Sequence, residues 1–140
     1  MNTDKSTTHR RKSRELLLQA LFQLEFTRSN LLVESLKRLE TIFNVEPSVL
    51  KFAQDLAEAY DNNKEPIESQ LTTLSQNWSV DRMATVDKNI IRMALLEINF
   101  IEDIPPNVSI NEAIEIAKIY GSTESASFVN GILDQALKGL

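Results

Sequence analysis

A cluster of basic side chains near the N-terminus is the part of this sequence whose residue types are best suited to binding chemistry. Arg10, Arg11, Lys12 and Arg14 occupy four of five consecutive positions. Residues 1–14 carry a net charge of +4 and the whole chain carries -5, so the remainder is strongly acidic. Clustered cations can bind phosphates and release their counterions, while an acidic remainder discourages indiscriminate binding. The cluster indicates a polyanion-binding arm, with a solvated basic tail as the alternative.

Residues suited to catalysis or metal binding are scarce. His9 is the only histidine and the chain has no cysteine, which excludes a cysteine nucleophile and a thiolate metal site. No glycine-rich nucleotide-binding loop occurs. Glu112 and Glu115 are expected on a solvent-facing helix stripe rather than as a catalytic pair. We therefore expect a protein that is not an enzyme and that needs no cofactor and no metal.

Composition favours a helical, unexported protein. The chain has 140 residues, is 42% apolar and contains only three glycines and four prolines. These numbers allow one domain with its own core and disfavour a many-stranded sandwich or barrel. The polar N-terminus lacks a signal-peptide core, and no apolar run approaches the roughly 18 to 20 residues that span a bilayer. An all-α, cytoplasmic protein without a membrane segment is predicted.

The helix that follows the basic cluster is apolar on most of its circumference. Thr7 or Thr8 is expected to cap it. Its apolar residues are Leu16, Leu17, Leu18, Ala20, Leu21, Phe22, Leu24 and Phe26. Such a helix lies near the centre of a domain or beneath a partner, so a homodimer is a possible assembly.

Apolar residues recur at helical spacing along the rest of the chain and predict six or seven helices in total. Ser29 or Asn30 is expected to cap the second helix, the third begins at Pro47, and a fourth covers 66–74. A second central helix covers 83–101.

Two further helices follow in the C-terminal part of the sequence. Ser109 and Glu112 are expected to form a capping box at the start of one, which Gly121 terminates. The last helix ends at Gly139.

Four segments together resemble the bacterial Nus factor B (NusB) family. They are "RRKSRELLLQALFQLEF", "VDKNIIRMALLEI", "VSINEAIEIAKIYG" and "SFVNGILD". The resemblance covers essentially the whole chain and is most specific in its C-terminal half. It implies an all-α fold of two packed helical subdomains, forming a single RNA-binding domain over residues 1–140 with 1–14 as a basic N-terminal arm.

The resemblance also implies a function without catalysis. Proteins of this family recognise boxA-like single-stranded RNA together with Nus factor E, a small-subunit ribosomal protein. The complex helps RNA polymerase resist termination and supports ribosomal RNA transcription and maturation. RNA, Nus factor E and the RNA polymerase antitermination complex are therefore the expected partners, and no cofactor is expected.

Carried over residue by residue, the resemblance assigns RNA contacts to two parts of the sequence. Arg10, Arg11, Lys12 and Arg14 are expected to contact phosphates and base edges, with Lys12 replacing an arginine common in the family. Near the C-terminus, Tyr120 and Phe128 are expected to stack on bases or shape the RNA path, and Glu124 to accept hydrogen bonds from base edges.

Three further residues are assigned to the protein partner. Phe22 lies where the family often has tyrosine, and Asp81 and Asp87 match acidic positions associated with the Nus factor E surface.

Two alternatives remain open from the sequence. The chain could be the RNA-binding domain separated from a ribosomal RNA cytosine methyltransferase, which a Rossmann-like segment downstream in the reading frame would reveal. It could also be a non-catalytic helical interaction protein whose basic tail binds anions without sequence preference.

Overall fold

Seven α-helices make up most of the computed structural model, which describes residues 3–27, 30–77 and 83–139. They are α1 (Thr3–Leu24), α2 (Leu32–Ile42), α3 (Pro47–Asn62), α4 (Lys64–Asn77), α5 (Thr85–Phe100), α6 (Pro106–Tyr120) and α7 (Ser125–Lys138). No strand occurs in the described segments. The predicted all-α fold class is confirmed.

The helices divide into two compact units, Met1–Asn62 with α1 to α3 and Asn63–Leu140 with α4 to α7. In the first unit, each of the three helices contacts the other two. In the second unit, α5 contacts α4, α6 and α7, and α6 packs on α7. The prediction that α5 is a central helix is therefore confirmed within its unit.

The middle of α1 contributes much of the core of the first unit. Its buried apolar residues are Leu16, Leu17, Leu18, Ala20 and Leu21. The Ser35 hydroxyl of α2 donates a hydrogen bond to the backbone oxygen of Ala20 at 2.7 Å, which ties the two helices together. The aromatic residues predicted as part of the same apolar surface, Phe22 and Phe26, are instead exposed.

The first helix begins earlier than its predicted cap. The chain is helical from Thr3, so Thr7 and Thr8 lie inside α1 and the prediction that either one starts the helix is wrong. Farther along α1, the side chains of His9 and Ser13 contact α3. The segment predicted as a basic arm is consequently helical from residue 3 onward.

The N-terminus of α2 is capped by a residue from another helix. The prediction of Asn30 as the cap is wrong, because Leu31 occupies the N-cap position. Leu31 makes no side-chain hydrogen bond to the helix. The Asp61 carboxylate of α3 instead accepts hydrogen bonds from the backbone N–H groups of Leu32 at 2.7 Å and Val33 at 3.0 Å. This carboxylate satisfies two helix donors and suits the positive end of the helix dipole. Ser29 lies outside the described residues.

In the second unit, α4 extends beyond the predicted 66–74 segment at both ends. Pro66 lies in its first turn, where a missing N–H leaves no helical hydrogen bond unmade. Arg92 of α5 binds the Glu68 carboxylate of α4 through two nitrogens, with Nε–Oε2 at 2.8 Å and Nη2–Oε1 at 3.0 Å. This partly buried, two-point ion pair fixes α4 against α5.

The predicted capping box at the start of α6 does not form. Pro106 occupies the first helical position after Pro105, where the fixed φ of proline suits a helix start. Ser109 is buried inside α6 and donates its hydroxyl to Glu97 Oε1 of α5 at 2.8 Å. Glu112 is 7% exposed, so the prediction that it lies on a solvent-facing stripe is also wrong. Both polar residues are therefore buried in the packed unit, and Ser109 bonds to α5 instead of capping α6.

Candidate nucleic-acid interface

The basic side chains of α1 differ in how much surface they present. Lys12 is exposed, Arg10 and Arg11 are half-buried, and Arg14 is only 3% exposed. Arg10 and Arg14 are four residues apart, so they lie one turn apart on the same face of the helix. Of the four basic residues that were predicted to contact RNA, three therefore have accessible surface and one is buried.

A ring from α3 lies against two of these cations. The Cζ atom of Arg10 is 4.5 Å from the centroid of the Phe52 ring, and that of Arg14 is 5.4 Å from it. Both distances are within the range of cation–π attraction. We call residues 10–14 the basic turns of α1. Phe52 is half-buried, and it brings to these turns an aromatic surface that α1 does not supply there itself.

Two polar side chains fasten the basic turns of α1 to the start of α3. The buried Ser13 hydroxyl lies 2.6 Å from the backbone oxygen of Val49 and 2.9 Å from that of His9, and its single proton is donated to one of them. The His9 ring places Nδ1 3.0 Å from Ser48 Oγ and Nε2 3.3 Å from a carboxylate oxygen of Glu46. These contacts hold the basic turns in a defined orientation on α3.

Helix α3 also carries an exposed lysine, whose charge is partly neutralised by a neighbouring aspartate. Lys51 Nζ lies 3.0 Å from Asp55 Oδ1, one turn away on the exposed surface. This hydrogen bond and the charge of Asp55 raise the pKa of Lys51 above its ordinary value. Lys51 therefore stays protonated at neutral pH, but the paired acid reduces its attraction for an anion.

The other predicted RNA contacts lie at the α6–α7 turn of the second unit. Tyr120, the last residue of α6, is 44% exposed, and Glu124 is exposed at the N-cap position of α7. Phe128 is half-buried one turn later, where its N–H donates to the backbone oxygen of Glu124 at 3.0 Å. The turn thus presents an aromatic ring and a carboxylate at the surface, with a second ring partly covered.

The shape of this turn depends on a close approach at Gly121. Gly121 ends α6 as predicted, and its N–H donates to the backbone oxygen of Ala117 at 2.8 Å. Ser125 is buried, and its Oγ accepts a hydrogen bond from the Ser122 N–H at 2.9 Å. A Cβ atom at Gly121 would overlap the Ser125 side chain and lie 2.8 Å from the Ala117 oxygen. Glycine is required here because a side chain would not fit. The backbone of Gly121 is extended (φ -96°, ψ -172°), a conformation that any residue can adopt, so backbone strain is not the reason.

The residues predicted for the protein partner differ in accessibility. Phe22 is 41% exposed and makes a tilted contact with the exposed Phe26, with ring centroids 5.4 Å apart. Asp87 lies in the first turn of α5 and is only 8% exposed, which leaves little of it for direct contact. Asp81 lies outside the described residues. Of the two described residues that were predicted for the protein partner, Phe22 is therefore the accessible one.

Neither a metal-binding cluster nor a membrane-spanning helix occurs in the described segments. Among the side chains that the structure describes, no three His, Asp or Glu residues are grouped so that they could hold a metal ion. None of the helices in these segments is both long enough and apolar enough to cross a membrane. The clearest candidate ligand-binding features of the described chain are the basic turns of α1 and the α6–α7 turn.

A model of the NusB family matches residues 11–138 of this chain. The match begins within the basic turns and includes the whole α6–α7 turn. The chain belongs to the NusB family. Of the predicted RNA contacts, only Arg10 lies before the matched NusB segment.

Known NusB proteins resemble the chain over most of its length. The transcription antitermination protein NusB of Desulfitobacterium hafniense (strain DSM 10664 / DCB-2) is 48% identical over 132 residues, which cover 94% of this chain and 89% of the relative. The solved structure of T. maritima NusB is 38% identical, with a TM-score of 0.79, over 92% of this chain and 90% of that chain.

A chain in the crystal structure of antitermination factors NusB and NusE in complex with dsRNA also matches. Its TM-score is 0.82 at 22% identity, over 95% of this chain and 98% of that one. At this identity the likeness demonstrates the NusB fold alone.

Two residues that shape the basic turns, Phe52 and Ser13, were not predicted from the sequence. Ser13 carried a usable signal, because it lies one turn before Leu17 and so extends the buried stripe of α1 toward the N-terminus. Phe52 carried none, since no local pattern relates it to basic residues that lie far earlier in the chain.

Proposed function

We propose that this NusB-family protein is an RNA-binding transcription antitermination factor. It recognises boxA-like single-stranded RNA together with NusE, a small-subunit ribosomal protein, and acts in the RNA polymerase antitermination complex. In this role it supports the transcription and maturation of ribosomal RNA. The observation that carries the proposal is the cluster of cations with accessible surface on α1, in a part of the helix that is bonded to α3, within a chain of net charge -5.

The cations of α1 have different tasks in this proposal. Arg10, Arg11 and Lys12 retain accessible surface, and they contact phosphates and base edges of the RNA. Arg14 is 3% exposed and lies against Phe52, so direct contact with RNA does not fit its burial. We assign Arg14 to supporting the packing of α1 on α3 beside Arg10. A lysine at position 12 contributes charge without the two-point geometry of an arginine.

The α6–α7 turn supplies the second group of contacts. Tyr120 and Phe128 offer aromatic surface for stacking on unpaired bases or for guiding the strand. The exposed Glu124 accepts hydrogen bonds from base edges, which adds selectivity rather than attraction for the backbone. The rigid shape that Gly121 and Ser125 give this turn supports that role.

NusE binding is assigned to an exposed aromatic surface at the C-terminal end of α1 and in the turn that follows it. Phe22 and Phe26 are accessible, and exposed aromatic residues are common anchors in protein interfaces. Asp81 and Asp87 remain assigned to the same partner, with the buried Asp87 supporting the start of α5 rather than touching NusE directly.

In the same proposal the protein is cytoplasmic, needs no cofactor and catalyses no reaction. Residues 1–140 act as one RNA-binding domain, whose basic N-terminal segment 1–14 is largely the start of α1. The exposed Phe22 and Phe26 are also compatible with a homodimer in the absence of NusE.

Fluorescence anisotropy tests the proposal. A labelled boxA-like single-stranded RNA and a scrambled RNA of equal length are titrated with the protein across a range of salt concentrations, with and without NusE. We expect tighter binding of the boxA-like RNA and a further gain when NusE is present.

Equal affinity for the two RNAs, with equal salt dependence and no effect of NusE, would overturn the proposed function. That result would instead favour a helical interaction protein that binds anions without sequence preference.

A further inference from the structure

Two guanidinium groups of α1 share a single ring of α3. Arg10 and Arg14 project from the same helix face, and their Cζ atoms lie 4.5 Å and 5.4 Å from the centroid of Phe52. Arg14 is almost fully buried, whereas Arg10 is half-buried and keeps solvent-accessible surface. Arg14 is thus part of the packed platform, and Arg10 is the cation that the platform presents.

Stacking and hydrogen bonding use different parts of a guanidinium. The flat face contacts the ring, while the N–H donors point outward in the plane of the group. A ring beneath Arg10 therefore limits the rotation of its side chain and leaves the donors at its edge able to bind two oxygens of one phosphate. Without the ring, Arg10 would sample more rotamers, which must be given up when RNA binds.

We propose that Phe52 is a positioning residue for RNA recognition, which holds the Arg10 guanidinium in a binding-competent orientation before RNA arrives. This inference rests on the proposed function, because it assigns a task within the same RNA site. Phe52 acts through Arg10, so its contribution disappears when Arg10 is removed. It carries no charge, so it changes affinity without changing the number of phosphates that are neutralised.

The experiment uses the full chain and the labelled boxA-like RNA at several salt concentrations. Phe52→Leu removes the aromatic face but keeps an apolar side chain, and we expect it to weaken binding by about 3- to 10-fold. The slope of log affinity against log salt should not change. Phe52→Tyr keeps the ring and should bind like the unaltered chain. Phe43→Leu makes the same substitution at a 49% exposed phenylalanine of the same unit and should have no effect.

A double-mutant cycle separates positioning from a general structural effect. In an Arg10→Ala background, Phe52→Leu should cause no further loss of affinity, because the group that it positions is absent. Circular dichroism checks that each variant is folded. If Phe52→Leu does not fold, Arg10→Lys replaces it, since lysine keeps the charge but not the flat face. Arg10→Lys should weaken binding several-fold at an unchanged salt slope.

The outcomes distinguish this inference from the proposed function. If the unaltered chain prefers boxA-like RNA but Phe52→Leu binds equally well, or loses equal affinity with and without Arg10, Phe52 has no positioning role and the proposed function stands. If Phe52→Leu does not fold and Arg10→Lys is used instead, an affinity of Arg10→Lys equal to that of the unaltered chain would likewise exclude a positioning role for Phe52. If the unaltered chain shows no preference for the boxA-like RNA, the proposed function and this inference both fail.

Discussion

The two candidate RNA-binding regions of the molecule are built in opposite ways. The basic turns of α1 depend on partners far away in sequence, because Ser13 bonds to Val49 and Phe52 lies under Arg10. The α6–α7 turn is held by near neighbours, through the Ser125 bond to Ser122 and the close approach at Gly121. One region presents charge through tertiary packing, and the other presents aromatic and acidic groups through local backbone shape.

This difference decides how each region responds to substitution. In the basic turns, we expect removal of an exposed cation to leave stability almost unchanged and removal of the buried Arg14 to lower it. In the α6–α7 turn, we expect stability to depend on the close approach at Gly121, and substitution of the exposed side chains to leave the fold intact. Substitutions that separate binding from stability therefore test the comparison directly.

Removal of the accessible cations should give the largest effect. The combined variant Arg10→Ala, Arg11→Ala, Lys12→Ala should lose most of its RNA affinity and reduce the salt slope by about two units, if each cation neutralises one phosphate of a single strand. Its unfolding midpoint should stay close to that of the unaltered chain, because all three side chains retain exposed surface.

Anisotropy titrations across salt and a thermal melt measure the two responses to this triple variant. The matched control replaces Lys51, Lys118 and Lys138 by alanine, three exposed lysines that are each paired with an acid. An unchanged salt slope in the triple variant would exclude the basic turns of α1 from the interface.

Gly121→Ala should cause the largest loss of stability. The added Cβ would overlap Ser125 and approach the Ala117 oxygen to 2.8 Å, and relieving such an overlap costs about 1 to 3 kcal/mol. Gly139→Ala is the control, since its Cβ would meet neighbouring backbone oxygens at 3.6 Å and 3.7 Å. Chemical denaturation should show a clear loss for the first variant and almost none for the second. Equal stability of the two would mean that the turn relaxes easily.

Arg14→Ala and Lys12→Ala compare a buried and an exposed cation on the same helix. Arg14→Ala removes a packed stem and a ring contact, so we expect a loss of about 1 to 2 kcal/mol in the free energy of unfolding. Lys12→Ala should change stability by less than about 0.5 kcal/mol. Urea unfolding of both variants measures this. A greater loss for Lys12→Ala would contradict the burial pattern.

Glu124→Lys should have the smallest effect and should alter binding alone. Replacing an exposed acid by a cation favours any nearby phosphate, so affinity for scrambled RNA should rise a few-fold and discrimination should fall. The unfolding midpoint should not move. Glu102→Lys makes the same charge change at another exposed acid of the second unit. If the two variants bind scrambled RNA equally well, net charge rather than the position of Glu124 explains the gain.

The fold was largely predictable because the periodicity of apolar residues that indicates a helix can be recognised within short stretches of sequence. The start of α3 at Pro47 and the end of α7 at Gly139 were placed correctly, since proline and glycine act on their own backbone. Helix starts that depend on residues of other helices were not placed correctly. α2 takes its cap from Asp61 on α3, and Ser109 serves a buried hydrogen bond to Glu97 instead of a cap.

For the candidate site, the sequence predicted a set of residues but not which of them are accessible in the fold. The sequence located the basic cluster and the α6–α7 turn, and Lys12, Tyr120 and Glu124 are indeed exposed. It did not predict that Arg14 would be buried, or that Asp87 would be covered at the start of α5. Accessibility depends on which helix packs over a residue, and a local pattern does not contain that information.

By itself, therefore, the sequence determined that this protein is helical, where its positive charge is concentrated and which turn joins its last two helices. These properties follow from backbone preference, side-chain charge and short-range spacing, which act within a few residues. Only the tertiary structure decided which cations face solvent and which ring supports them. Arg10 and Phe52 meet because α1 and α3 bury their apolar faces together, and that free energy belongs to the packed unit rather than to either segment.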